Sequence, residues 1–121
     1  MKALLLIAHG SRKVSSNQEV ADLADKLKQQ TSPFALVTHG FLELTSPKVP
    51  DAVAKLVEEG AKEVTILPYF LAAGMHVTED LPELLSEAKA NYPQVTFTLL
   101  EHLGAADLMP SWILQQAARD K

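Results

Sequence analysis

The sequence predicts an α/β fold: a three-layer sandwich in which a four-stranded parallel sheet carries helices on both faces. Three observations predict it. Short, nearly continuous apolar runs recur along the chain, the first being Lys2-Ala-Leu-Leu-Leu-Ile-Ala8, and such runs suit strands covered on both faces better than alternating surface strands. Between these runs lie segments with apolar residues at helical spacing, and right-handed crossovers put such helices on the faces of a parallel sheet. The first two units also echo each other. His9-Gly10 and His39-Gly40 each follow an apolar run, and Val20-Ala-Asp-Leu-Ala-Asp-Lys-Leu27 is matched by Asp51-Ala-Val-Ala-Lys-Leu56, as in two copies of one supersecondary unit.

Taken in order, the first strand is Lys2 to Ala8. Ser16-Asn-Gln-Glu19 reads as a capping box, and Val20, Leu23, Ala24 and Leu27 form the stripe of a helix reaching about Gln30. A second strand is expected from Phe34 to His39. Ser46-Pro47 then offers an N-cap with proline at the first helical position, and Val49, Ala52, Val53, Leu56 and Val57 make the next stripe before Gly60 stops it. Val64 to Leu67 is the third strand, closed by Pro68. After a loop through Gly74, Asp80 caps a helix whose apolar face is Leu81, Leu84, Leu85 and Ala88. Val95 to Leu100 is the fourth strand, and a last helical segment from about Ala105 is interrupted or restarted near Pro110.

Composition narrows the function classes. The 121 residues, 47% hydrophobic and 21% charged, are expected to form one globular domain spanning residues 1–121. With no cysteine, a disulfide scaffold, a thiolate metal site and a cysteine nucleophile are excluded, so a metal would have to be held by His, Asp or Glu. Eleven Lys plus Arg against fifteen Asp plus Glu, net −4, give little counterion-release drive toward nucleic acid. The run Ala3–Ala8 is too short for a signal-peptide core, and no stretch approaches the ~20 residues that span a bilayer. The expected setting is the cytoplasm, without membrane or nucleic-acid partners.

All strands of a parallel sheet point one way, so the loops after the first three emerge at one carboxyl edge, where open α/β sheets bind ligands. His9 follows the first strand, Glu43 the second and His76 the third. The spacings, 9 to 43 and 43 to 76, are 34 and 33 residues, about one βα unit each, so the three positions are able to converge. Two imidazoles and a carboxylate suit a borderline divalent metal with open positions, and each also transfers protons near neutral pH. Singly, His9 also fits a strand-end cap and Glu43 a solvated loop carboxylate; together the three outweigh those readings. His39 is the counterpart of His9 in the internal similarity but falls in or beside the strand, and His102 lies at the same edge, to one side.

Three stretches carry a family resemblance: Leu6-Ile-Ala-His-Gly-Ser-Arg12, Phe41-Leu-Glu-Leu44 with Pro47, and Leu67-Pro-Tyr-Phe-Leu-Ala-Ala-Gly-Met-His-Val-Thr-Glu-Asp-Leu-Pro82. At these positions, and over nearly its whole length, the chain resembles the small CbiX-type sirohydrochlorin chelatases, relatives of the class II ferrochelatases. The resemblance implies insertion of a divalent metal into sirohydrochlorin, feeding a cobalamin, siroheme or nickel tetrapyrrole route. It implies His9 and His76 as active-site histidines, with Glu43 as the metal-associated carboxylate. It implies a homodimer, since longer relatives contain two such domains facing one cleft. No permanently bound cofactor is expected. The metal is a substrate: cobalt, nickel and ferrous iron all accept these ligands, and cobalt is favoured by the family name alone. His39 with its Thr38-His-Gly40 context, and the short region after Leu103-Gly104 with Pro110 and Trp112, depart from the family pattern.

A substrate of that kind is rich in carboxylates, which a chain of net charge −4 repels unless the local field differs. Ser11, Arg12 and Lys13 beside His9, with helix amino ends at the same edge, are candidate donors. Phe41, Tyr69, Phe70 and Met75 are candidates for a flat apolar wall, although such residues next to a sheet are more often core. Two rival functions carry the same residues. One is a relative that binds metal or tetrapyrrole without turnover. The other is histidine-dependent phosphoryl transfer, which normally places Arg before the His, where this chain has Ala8.

Overall fold

The first strand is buried on both sides because it is central. The computed structural model describes residues 1–119, apart from the side chain of His76. Its elements are β1 (Lys2–Ala8), α1 (Val14–Gln29), β2 (Leu36–Phe41), α2 (Val49–Glu58), β3 (Glu63–Pro68), α3 (Leu81–Asn91), β4 (Thr96–Leu99) and α4 (Met109–Ala117). A π-helical turn, His76–Asp80, leads into α3, and a 3-10 turn, Leu103–Ala105, precedes α4. The four strands form one parallel sheet in the order β2-β1-β3-β4. β1 pairs with β2 from Ala3↔Leu36 to Ala8↔Phe41, and with β3 from Lys2↔Glu63 to Ile7↔Pro68.

Side chains of alternate parity separate the two faces. Toward α1 point Leu6 and Ala8, packed with Val37 and Phe41 of β2 and with Val20 and Ala24 of the helix. The opposite face holds the larger cluster. There Leu5, Ile7, Val64, Ile66 and Phe97 meet Val53 and Leu56 of α2 and Leu81 and Ala88 of α3. The expected parallel sheet with helices on both faces is therefore present, α1 on one side and α2 with α3 on the other. α4 belongs to neither layer. None of its residues is buried, and it packs mainly on the 3-10 turn, so on the α1 side Thr96 and Thr98 of β4 stay exposed.

Several local expectations are corrected. α1 begins at Val14 after Lys13, with no side-chain cap bond, so Ser16-x-x-Glu19 is not a capping box. β2 starts and ends two residues later than the apolar run suggests, because Phe34 packs beside Leu6 from outside the strand while Phe41 completes the pairing with Ala8. The Ser46–Pro47 peptide is cis and lies ahead of α2; Lys48 takes the N-cap position and Pro50 the proline site in the first turn. Of the two readings at Pro110, the restart holds: a 3-10 turn ends at Ala105, and α4 begins with Pro110 in its first turn. Among the described residues, no helix is long and apolar enough to cross a membrane.

Candidate functional site

With β1 central, the chain winds from β1 to β2 on one side and crosses to β3 on the other. The loops that leave β1 and β3 therefore part company at the carboxyl edge, which is where a crevice opens in such sheets. His9 and Glu43 stand at this edge, and the backbone brings them together. Beyond the end of the paired strands, the Leu42 N–H donates to the Ala8 carbonyl (3.0 Å) and the Glu43 N–H to the His9 carbonyl (3.1 Å), so the two loops remain zipped. Leu44 then turns the chain back with a φ of 71°.

Gly10 makes the closest approach possible. Its φ is +96°, and a Cβ at this position would fall within the van der Waals shell of the Glu43 carbonyl oxygen. The result is a contact of 3.2 Å between His9 Nε2 and Glu43 Oε1, with the side chains 42% and 51% exposed.

The other ring nitrogen is also committed. His9 Nδ1 lies 2.9 Å from the Gly10 carbonyl oxygen. A carbonyl only accepts, so Nδ1 carries the hydrogen of this contact, and Nε2 is the ring nitrogen turned to the carboxylate. A proton on Nε2 bonds this pair directly, and without it the two groups are electron-pair donors placed to share a cation. Ligands at right angles around an ion, with bonds of about 2.1 Å, stand about 3 Å apart, close to the observed separation. Both side chains are partly open to solvent.

His76 lies on the π-helical turn after β3, at the same edge; its side chain, and with it the expected convergence on His9 and Glu43, falls outside the described residues. The turn is held at its start by Val77 and Thr78 N–H groups donating to the Gly74 carbonyl, each at 3.1 Å. Leu42, Glu43, Asp80, Glu83, Leu84 and Glu87 line a hollow of about 230 Å³ beside it. Among the described residues no group of three or more His, Cys, Asp or Glu side chains stands ready to hold a metal ion.

The remaining candidates divide. Arg12 and Lys13 are exposed next to His9. Ser11 is engaged locally: its N–H donates to Asn17 Oδ1 (2.9 Å), its carbonyl accepts from Asn17 Nδ2 (2.8 Å) and its hydroxyl oxygen accepts from the Lys13 N–H (3.0 Å). Phe41 is not part of a wall: it is 2% exposed in the core beneath α1. Tyr69 and Met75 are exposed at 38% and 70%, and Phe70 is half-buried against the larger core cluster.

An apolar hollow of about 430 Å³ is lined by Tyr69, Phe70 and Leu71 together with Leu103, Met109, Trp112 and Ile113. Leu71 and the residues after it in that lining were missed from sequence; for Met109, Trp112 and Ile113 the uncharged segment Met109–Ala117 was the available signal. Asn17 was missed too, standing at an interior position of the Ser16-x-x-Glu19 motif.

His39 lies inside β2 on the α1 side, its ring edge-on to Phe41 at 5.3 Å between centroids, away from the His9–Glu43 pair. Burial lowers its pKa from the ordinary 6.5, with Asp25 opposing and Lys28 adding to the shift. His102 caps the 3-10 turn after the outermost strand, two strands from β1.

Comparison with known proteins gives a consistent picture. The family model described as CbiX matches residues 3–120. The sirohydrochlorin cobaltochelatase of Methanocaldococcus jannaschii is 41% identical over 92 residues, 76% of this chain and 64% of that protein, so the matched stretch spans less than two thirds of the relative. The sirohydrochlorin cobaltochelatase of Methanococcoides burtonii is 30% identical over 94% of this chain and 92% of its own. Among solved structures, the sirohydrochlorin chelatase SirB from Bacillus subtilis, in complex with cobalt, superimposes with a TM-score of 0.80 at 25% identity, covering 96% of this chain and 49% of that one.

Proposed function

The chain belongs to the CbiX family, and from that premise we propose that it is a sirohydrochlorin chelatase, a lyase-type enzyme that inserts a divalent metal, cobalt in the first place, into the macrocycle. The observation that carries the reading is the His9–Glu43 pair: an imidazole nitrogen and a carboxylate oxygen 3.2 Å apart, open to solvent, at the carboxyl edge of the sheet. A structural metal site closes its ion in with protein ligands, whereas a site where ligands exchange keeps a position open. A site that must surrender its ion keeps few ligands and an open side, as here.

In the proposed reaction one M²⁺ enters and two ring N–H protons leave. His9, Glu43 and His76 hold the ion on one side of the macrocycle while ring nitrogens replace its water ligands; as the ion passes to the ring, one of the histidines it leaves accepts one proton and the other proton goes to solvent. Arg12 and Lys13, exposed beside His9, supply positive charge for the substrate's carboxylates, with the Ser11 hydroxyl as a further donor. Tyr69, Phe70 and Met75 supply apolar surface, joined by the α4 side of the hollow, where Trp112 is 54% exposed.

The test is anaerobic absorbance with sirohydrochlorin and, separately, cobalt(II), nickel(II) and ferrous iron, comparing the protein and His76→Ala with a no-protein control. Acceleration with at least one metal, lost in His76→Ala, is the expected result. No acceleration by folded protein would leave a relative that binds metal or tetrapyrrole without turnover.

We further propose a homodimer. α4 carries no charged residue and buries none of its nine, leaving Leu108, Trp112, Ile113 and Leu114 at least 50% exposed. A contiguous apolar face of this kind supports a protein contact, and a second copy would take the place of the other half of the Bacillus chelatase. Ile113→Glu together with Leu114→Glu is expected to shift the protein from dimer to monomer in sedimentation velocity at micromolar concentration. A monomeric wild type, or a double variant that stays dimeric, would overturn the dimer.

A further inference from the structure

We infer that Asn17 is a positioning residue that sets the tautomer of His9 through a single peptide unit. The inference rests on the reading of His9 as a metal ligand, and it deepens that reading. The carbonyl of Gly10 and the N–H of Ser11 belong to the same planar amide and point to opposite sides of it. On one side the Gly10 oxygen accepts from His9 Nδ1 at 2.9 Å. On the other, the Ser11 N–H donates to Asn17 Oδ1, also at 2.9 Å.

The carboxamide of Asn17 completes a second bond in the reverse sense, its Nδ2 donating to the Ser11 carbonyl at 2.8 Å. With both ends of Ser11 grasped from the first turn of α1, the Gly10–Ser11 amide cannot rotate about its flanking bonds without breaking a pair of hydrogen bonds. The chain of bonds has one direction. Asn17 polarises the amide by accepting its hydrogen, the Gly10 oxygen becomes a better acceptor, and the imidazole keeps its hydrogen on Nδ1. Nε2 is thereby left as the donor atom facing Glu43. The arrangement is the amide-relayed version of the outer hydrogen bond that orients metal-bound histidines elsewhere. Asn17 touches neither metal nor substrate in this account; it acts through the amide.

α1 has no side-chain cap bond at its N-terminus, where Lys13 takes the N-cap position, and the Asn17 side chain in its first turn is directed back at the loop.

The experiment uses full-length wild type, Asn17→Ala, Asn17→Asp and, as a neighbour on the same exposed turn, Gln18→Ala. Two readouts are taken on each. Proton–nitrogen correlation spectra of the histidine rings in mildly alkaline buffer report which nitrogen of His9 carries the hydrogen. Cobalt(II) titration, followed by the metal's visible absorption, reports affinity without any tetrapyrrole.

Asn17→Ala is expected to replace a single Nδ1–H form by a mixture and to weaken cobalt binding by about ten-fold or more, in the range typical of outer-shell losses. Asn17→Asp keeps an acceptor for the Ser11 N–H and is expected to restore the Nδ1–H form, while Gln18→Ala matches wild type. In steady state the KM for cobalt rises in Asn17→Ala with the KM for the tetrapyrrole unchanged.

An unchanged His9 tautomer and unchanged cobalt affinity in Asn17→Ala would overturn the inference, even if thermal stability falls. Wild type that binds no cobalt would instead overturn the chelatase reading, and the ring spectra would still decide the role of Asn17 in setting the tautomer.

Discussion

His9→Ala is expected to reduce metal insertion to the rate of the reaction without protein, a loss of at least about 100-fold. The imidazole supplies the Nε2 lone pair that, with the Glu43 carboxylate 3.2 Å away, makes the ligand pair. It is also one of two histidines able to take a ring proton, and positioned bases contribute about 10²–10⁴-fold. Removing it deletes half the pair and leaves a single carboxylate at this corner, which binds a transition metal weakly against water. The substitution leaves the fold in place. The ring is 42% exposed, and surface changes of this kind usually stay within about 0.5 kcal/mol. Anaerobic absorbance with cobalt(II) and sirohydrochlorin, with a denaturation curve on the same sample, separates the two effects. A folded variant of undiminished rate would remove His9 from the mechanism.

Gly10→Ala is expected to abolish cobalt binding although every proposed ligand is still present. A φ of +96° already costs a non-glycine residue about 1–3 kcal/mol, and the added methyl group also overlaps the Glu43 carbonyl. That carbonyl is backbone, in a turn closed by the Thr45 N–H at 2.9 Å, so it cannot swing aside as a long side chain would. The loops must separate. The bond from the Glu43 N–H to the His9 carbonyl is lost, and with it the spacing between ring and carboxylate. Stability is expected to fall by about 2–4 kcal/mol in urea unfolding, with no cobalt-induced absorption at concentrations that saturate wild type. Saturation at wild-type concentrations would show that the close approach of the two loops is not what holds the pair.

Much of the fold could be read directly. β1 was visible because a strand buried on both faces is apolar without alternation, and α2 because its stripe is complete and bounded by Gly60. His9 and Glu43 could be proposed as neighbours because both follow strands at a spacing of one βα unit. Register could not. The resemblance between His9-Gly10 and His39-Gly40 suggests equivalent places, yet His39 pairs with Leu6, three residues before His9, and faces α1 from within the strand. A polar His-Gly pair in mid-strand looked like the strand's end, and Phe41, one residue beyond it, looked like a loop aromatic; it is core. The role of Asn17 was hidden for a different reason. Ser-x-x-Glu is a strong local signal for a capping box, whereas the bonds from Asn17 to Ser11 depend on how the preceding loop turns. The unburied α4 was equally hard to foresee, since an apolar helical segment gives no sign of whether its own chain will cover it.

The central position of β1 also governs how the chain must assemble. Its ladders join Ala3 to Leu36 and Lys2 to Glu63, separations of 33 and 61 residues, and the third ladder, from Glu63 to Thr96, spans another 33. No strand meets its partner through a hairpin, so each pairing carries the entropy of a long loop before any contact rewards it. The earliest segment of the chain is thus an unsatisfied template until two later ones reach it, one from either flank. Both flanks then lean on the same seven residues. A disturbance in β1 cannot be confined to one edge of the sheet, and the loop that carries His9 is anchored in the strand on which both flanks depend.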